Sequence, residues 1–132
     1  MDKKEKNLFT EYEPKRKNRF LIEFPSVLDI EPFLVKKCDL PKYCMSGKWV
    51  DMNIEFNELV AISTADILIK LMAMKLFSFK ILLLDPTGVV VEKWEIFIDK
   101  IISVNFGSVD LSSDELSTST MTIKPSHCVL IK

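Results

Sequence analysis

The sequence has little of what secreted modules and enzymes are usually built from. It has three cysteines, an odd number that does not make a disulfide framework, and only three glycines. There is one histidine, His127, and there is no glycine-rich phosphate loop, no H-E-x-x-H and no G-x-S-x-G pattern. An enzyme is therefore the weakest class of function, and we expect no catalytic, cofactor-binding or metal site.

Long apolar runs and a strong net charge are also missing. Uncharged apolar runs such as Ile81–Leu84 are far shorter than the ~20 residues that span a bilayer as a helix, and no signal-peptide pattern opens the sequence. The net charge of −1 gives no global attraction to nucleic acid or to an anionic membrane. We expect a soluble intracellular protein with reduced thiols and no membrane anchor.

One group of residues deserves weighing as a metal site. Cys38, Cys44, His127 and Cys128 are ligand types that zinc accepts. Their spacing is not that of the common zinc motifs, and His127 and Cys128 would point to opposite faces of a strand. Structural roles for all four residues are the better interpretation.

Composition predicts one folded domain preceded by an arm. The 132 residues are 48% hydrophobic and 28% charged, which is typical of a globular chain that buries a core. Residues 1–17 mix basic and acidic side chains around Phe9 and Tyr12, and we assign the domain to residues 18–132. The arm is either a solvated tail or a segment that docks Phe9 and Tyr12 on a neighbouring chain.

Period-two alternation predicts several strands. Residues 18–24 and 33–40 each end before a proline, and residues 49–56 place Met52, Ile54 and Phe56 on one face. Residues 118–124 alternate in the same way, after a polar, acidic loop at 107–117.

Two further expectations concern the C-terminal third. The stretch that starts at residue 96 is predicted as a strand or strand pair with Ile102, Val104 and Phe106 on one face, and Pro125 and Ser126 are predicted to form a turn.

One helix is predicted at about residues 64–76. Ser63 or Thr64 is a suitable N-cap, and Asp66 favours the positive end of the helix dipole. Only Lys70 and Lys75 are clearly polar along it, so we expect the helix to be covered on more than one side. A groove of its own domain is the simplest cover.

Residues 77–97 read as a hairpin. Asp85, Pro86 and Gly88 suit the successive positions of a type I turn closed by a left-handed residue. Both faces of the hairpin are apolar near the tip, where Leu82 and Leu84 oppose Leu83. The second face must be covered by an adjacent subunit, or by the helix and opposite sheet of the same chain.

These elements define the expected fold class. Strands precede and follow a single helix without repeated alternation, which argues against a parallel βαβ sheet. We expect a mainly β protein with one α-helix, built as an antiparallel barrel or sandwich.

Several segments carry a family resemblance. They are PKRKNRFLIEFP, FLVKKCDLPK, KWVDMNIEFN, LLLDPTGVVVEKWEI and SVNFGSVDLSSDELSTSTMTIKPSHCVL. Together they resemble the tail tube family of contractile-tailed bacteriophages from about Phe9 to the C-terminus. The LDPTG turn followed by Trp94 and the NFGSVDLSSDE loop are the most specific parts.

The resemblance implies a structural role. Members form hexameric rings of small antiparallel β-barrels or sandwiches, and the rings stack into a hollow tube inside a contractile sheath. It implies partners in copies of the chain itself, the tail sheath, and the baseplate and neck proteins, with DNA passing through the lumen without tight binding. The expected location is the virion tail, assembled in the host cytoplasm.

The resemblance also suggests residues for assembly. Leu82, Leu84, Val89 and Val91 would pack on an adjacent subunit, as would Phe9 and Tyr12. Asp110, Asp114 and Glu115 would meet Lys15, Arg16 or Lys17 of a stacked ring.

Two alternatives stay open. In the first, the chain forms a related ring at the end of a tube, as a baseplate tube initiator or a terminator does. From another class of function, it would be a small strand-capturing binding module or assembly chaperone.

Overall fold

The structure, a computed structural model, describes residues 15–25, 34–58, 63–74 and 78–132. The tip of the predicted arm, with Phe9 and Tyr12, lies outside these residues. The elements in chain order are β1 (Phe20–Glu23), β2 (Val35–Cys38), β3 (Tyr43–Cys44), β4 (Lys48–Trp49), β5 (Met52–Asn57), α1 (Thr64–Met74), β6 (Ser78–Leu84), β7 (Val90–Asn105) and β8 (Thr118–Leu130).

Six strands form one antiparallel sheet in the order β1-β6-β7-β8-β5-β2, and β3 and β4 form a separate small hairpin. The sheet is bent into a nearly closed barrel, with one helix. The predicted fold class, mainly antiparallel β with one α-helix, is confirmed. No helix among the described residues is long and apolar enough to cross a membrane.

The bend comes from β7 and β8, which are long enough to belong to two layers. Residues 90–97 of β7 pair with β6, whereas residues 98–105 pair only with β8. Residues 118–123 of β8 also pair with β5, whereas residues 125–130 pair only with β7. We call the layer of β2, β5, residues 118–123 and residues 98–105 the front sheet.

The core lies between the front sheet and a back layer, which consists of β1, β6, residues 90–97 of β7 and residues 125–130 of β8. Its fully buried members include Ile22, Phe79, Ile81 and Ile96 from the back, and Met52, Ile54, Phe56, Met121 and Ile123 from the front. The rings of Phe24 and Phe56 stack at 6.3 Å between centroids, which ties β1 to the front sheet. The alternation predicted for β5 and β8 is what creates the front half of this core.

Two expectations for the C-terminal strands are wrong. Val104 packs against the core together with Ile101, but Ile102 and Phe106 are about half exposed. The register of β7 against β8 shifts between Ile101 and Ser103, and this irregularity changes which residues face inward.

The turn predicted at Pro125 is also wrong, because β8 continues through it to Leu130. Pro125 is buried and lies opposite Ile98, next to another register shift. At this point β8 has lost β5 as a neighbour, so a missing backbone N–H is tolerated there as on an edge strand.

The helix is anchored at its first turn. The Thr64 hydroxyl donates to the Asn57 carbonyl (2.6 Å), and the Ser63 hydroxyl accepts from the Asp66 amide (3.2 Å). Leu68 and Leu71 are buried in the core, but Ile69 and Met72 are largely exposed. Among the described residues, α1 therefore has one covered side and one exposed side, contrary to expectation.

Candidate assembly surfaces

The turn between β6 and β7 is held by one carboxylate. Asp85 Oδ1 accepts from the Thr87 amide, the Thr87 hydroxyl and the Val89 amide at 2.7–2.9 Å. These hydrogen bonds lower the pKa of Asp85, and the bond from the Thr87 hydroxyl has the largest effect. Pro86 occupies the second turn position and Gly88 has a φ of 88°, a conformation that glycine adopts without strain.

The tip of the hairpin divides its apolar residues between the subunit and solvent. Val89 is 57% exposed and Val91 is 41% exposed, whereas Leu82 is only 8% exposed, and Leu84 is half-buried. Leu82 lies between Leu21 of β1 and Lys93 of β7 in the register. The tip therefore offers Val89 and Val91 to a partner, and Leu82 is mostly used within the chain.

Trp94 links the hairpin to the end of the arm. Its indole N–H donates to Glu92 Oε2 (2.9 Å), and Lys15 Nζ donates to Glu92 Oε1 (2.7 Å). Both hydrogen bonds lower the pKa of Glu92, and the bond from Lys15 has the larger effect. Lys15 is thus paired inside the subunit, while Arg16 and Lys17 are exposed.

The front sheet has two open edges that the sequence did not reveal. Among the described residues, β2 pairs on one side only, with β5, and residues 99–105 of β7 pair on one side only, with β8. Unpaired strand edges present rows of N–H and C=O groups that accept another strand. The one signal in the sequence was the predicted strand character that continues from residue 96 beyond the end of the hairpin.

The face of the front sheet that points away from the core is polar. One register row runs Lys37, Glu55, Thr120 and Asn105, and the next runs Asn53, Thr122 and Ser103. The Thr122 hydroxyl donates to Asn53 Oδ1 (2.7 Å), and Lys36 Nζ lies 3.7 Å from Glu55 Oε1. Hydroxyl and amide groups dominate these two rows, in which Glu55 lies beside Lys36 and Lys37, and the following row pairs the exposed Lys100 and Lys124.

The predicted acidic loop, residues 107–117, connects β7 to β8 beyond one end of the front sheet. Asp110, Asp114 and Glu115 are all exposed, and Val109 and Leu111 are almost completely so. Asp110 Oδ1 accepts from the Ser112 amide and hydroxyl, which lowers the pKa of Asp110. The loop has internal structure but presents both acidic and apolar side chains to solvent.

Gly107 sets the start of this loop, and we predict that Gly107→Ala is clearly destabilising. Its φ is 88°, and an added Cβ would lie 2.6 Å from the Thr118 carbonyl oxygen. Gly47→Ala is a matched control, because Gly47 has a φ of 97° but open space around it. Gly47→Ala should cost about 1–2 kcal/mol from backbone conformation alone, and Gly107→Ala should cost more. Urea unfolding measures both, and equal losses would contradict the role of the close approach.

The residues weighed as a metal site do not come together. Cys44 is exposed in β3, Cys38 is half-buried in β2, and Cys128 is buried in β8. His127 stacks on Phe97 with 4.3 Å between ring centroids and has Ser126 Oγ at 3.2 Å from Nδ1. Within the described ranges, no three His, Cys, Asp or Glu side chains are grouped to hold a metal ion.

The thiols should differ sharply in reactivity. Burial raises the pKa of Cys38 to about 12, with the Asp39 charge adding to it, and burial raises the pKa of Cys128 to about 11. The Ser46 hydroxyl donates to Cys44 Sγ and lowers the pKa of that exposed thiol. Since the thiolate is the reactive form, we expect iodoacetamide to label Cys44 first in the native protein at pH 7.5. Peptide mass spectrometry reads the sites, and equal labelling of all three would contradict the placement.

Comparison with known proteins gives matches in structure and none in sequence. No family model matches the chain, and no curated protein matches it significantly. A chain of the sheath–tube complex of an extracellular contractile injection system (PVC, extended state) aligns with a TM-score of 0.69 at 11% identity, over 94% of this chain and 95% of that one. This chain shares its fold with a component of a contractile sheath–tube complex.

Two further structures are ends of tubes. The tube-terminating cap of the anti-feeding prophage has a TM-score of 0.65 at 13% identity, over 89% of this chain and 91% of that one. The PVC sheath/tube terminator has a TM-score of 0.64 at 11% identity, over 91% and 98%. The fold that the sequence resemblance implied is therefore confirmed, and chains of a sheath–tube complex and of two tube ends share it.

Proposed function

We propose that the chain is a non-enzymatic structural subunit of a contractile-tail tube, which assembles into stacked hexameric rings. The observation that carries the proposal is the front sheet, whose two open edges lie on opposite sides of the same four strands. A sheet with two unlike edges can join head to tail with copies of itself.

Ring closure follows from pairing β2 of one copy with residues 99–105 of the next. Six copies of a four-stranded sheet make a 24-stranded barrel in which no front-sheet edge stays open. Barrels of 16–18 strands already enclose an aqueous channel, so this ring leaves a wider bore. The closed ring removes the two edges that would otherwise promote aggregation.

The polar face of the front sheet lines the bore in this arrangement. Hydroxyl and amide groups outnumber the lysines on this face, so the face neutralises few phosphates, and phosphate neutralisation is what gives proteins affinity for DNA. DNA therefore passes through the lumen without tight binding.

Other partners lie outside the bore. The tail sheath surrounds the tube, and baseplate and neck proteins contact its two ends. The tip residues Val89 and Val91, and the arm with Phe9 and Tyr12, pack on neighbouring subunits. The particle is the virion tail, assembled in the host cytoplasm, and the subunit needs no membrane anchor.

A second candidate is a ring at the end of the tube. Two of the similar solved structures are a tube-terminating cap and a sheath/tube terminator, at TM-scores close to that of the sheath–tube complex. A terminator would form one ring and would not continue the stack.

Light scattering and negative-stain microscopy over a concentration series test the proposal. Rings that stack into tubes of increasing length support the main tube subunit, and isolated rings support the end-of-tube candidate. A monomer at every concentration, including in the presence of preformed rings of a tube initiator, contradicts both candidates. A 1:1 complex with a single partner strand would favour a strand-capturing module.

A further inference from the structure

The two ends of the front sheet carry different protrusions. The acidic loop, residues 107–117, extends beyond the end where Asn57 pairs with Thr118. The small β3–β4 hairpin, which we call the basic hairpin (residues 40–50), connects β2 to β5 at the opposite end, where Met52 pairs with Ile123. The six residues of β5 between them span about 20 Å.

Among the described residues, the carboxylates of the acidic loop have no cationic partner. The loop contains three carboxylates and no basic residue, and none of these carboxylates forms an ion pair with a described residue. Val109 is 98% exposed, and Leu111 and Leu116 are similarly open. Exposed apolar side chains between charges of one sign are more typical of a contact surface than of a solvated loop.

The basic hairpin has the complementary chemistry. It contains Lys42 and Lys48 and no acidic residue, although Asp39 and Asp51 flank its base. Both lysines are exposed, and neither is ion-paired within the described part of the chain.

The tip of the basic hairpin is apolar as well as basic. Met45 at the tip is 94% exposed. The rings of Tyr43 and Trp49 meet edge to face with 4.8 Å between centroids, and Trp49 packs against the core, so the hairpin is a fixed protrusion. An acidic, apolar loop and a basic, apolar hairpin at opposite ends suit one another across two copies.

We infer that the acidic loop of one copy docks on the basic hairpin of a second copy in the next ring. Because the two protrusions lie at opposite ends of the strands, this contact repeats along the tube axis and does not close on itself. The inference rests on the proposed ring. It gives the acidic loop a partner other than Lys15, which Glu92 already holds at 2.7 Å.

A charge-reversal experiment tests the contact. Lys42→Glu/Lys48→Glu and Asp114→Lys/Glu115→Lys are made separately and together, with Lys132→Glu as a control for an exposed lysine elsewhere. All changed side chains are exposed, so near-native circular dichroism is expected for each variant. Native mass spectrometry reports the ring, and electron microscopy reports the mean tube length.

The expected result is specific. Each charge-reversed pair keeps the hexameric ring but shortens the tubes at least tenfold, because like charges then face each other across the contact. The combined variant restores tube length to within twofold of the wild type, and Lys132→Glu changes nothing. Failure of the combined variant to stack, or normal stacking of the separate pairs, overturns the inference while the rings leave the proposed function standing. If the wild type forms no ring, both are overturned.

Discussion

The Val89→Asp/Val91→Asp variant is expected to remain folded and to lose assembly. Both side chains are exposed at the hairpin tip, so the isolated subunit does not depend on them. Burying one valine contributes about 1.5–3 kcal/mol, and a loss of about 3 kcal/mol or more raises the concentration needed for assembly at least about 100-fold. Light scattering over a concentration series measures that shift.

Leu82→Asp is the matched control on the same hairpin. Leu82 is 8% exposed and lies between Leu21 and Lys93, so a charge there should destabilise the subunit itself. The account predicts unfolding for Leu82→Asp and native circular dichroism for the double variant. Normal assembly of the double variant, or its unfolding, would contradict the assignment of the tip to a subunit contact.

Phe56→Ala is expected to remove a large share of the stability of the domain. Phe56 is fully buried in β5, and its ring stacks on Phe24, which joins the front sheet to β1. Truncation of a buried phenylalanine costs about 3–5 kcal/mol, a large share of the roughly 5–15 kcal/mol that stabilises an ordinary domain. Urea unfolding of the wild type and variant, at a protein concentration below assembly, gives the difference.

Val109→Ala is the control variant, because it truncates an apolar side chain that is exposed and not buried. Val109 is 98% exposed, and exposed substitutions usually change stability by less than about 0.5 kcal/mol. A loss below 1 kcal/mol for Phe56→Ala would mean that the front sheet does not close on β1 as described.

Features set by local chemistry were predictable from the sequence. The alternation of Met52, Ile54 and Phe56, and that of Ser119, Met121 and Ile123, placed those residues on the core face. The tight turn at Asp85 and Gly88 depends on side chain and backbone preferences within five residues. These signals do not require knowledge of which strands are neighbours.

Features set by long-range register were not predictable in the same way. The shift near Ile102, the passage of β8 through Pro125 and the open edge of β7 all depend on where neighbouring strands stop. Periodicity alone assumes a regular strand, so it failed where β7 and β8 pass from one layer to the other.

The candidate surfaces were predictable only in part. The hairpin tip and acidic loop were recognisable because apolar or acidic residues cluster in sequence, and Val89, Val91, Asp110, Asp114 and Glu115 are all exposed. Leu82 is buried and Val91 is exposed because Leu82 pairs with β1, which lies far away in the sequence. The pairing of Lys15 with Glu92 likewise joins residues 77 positions apart. Distances of that kind leave no local pattern.

The central claim is that β2 of one copy joins residues 99–105 of the next. The most direct test is Lys37→Cys/Ser103→Cys in a Cys44→Ser background, treated with a bismaleimide whose reach is below about 10 Å. Within one chain these positions lie three strand spacings apart, about 14 Å, so an internal link is disfavoured. The account predicts a ladder of linked species up to six subunits, and no ladder from either cysteine alone. Unlinked monomer from the double cysteine variant, under conditions where rings are visible, would contradict it.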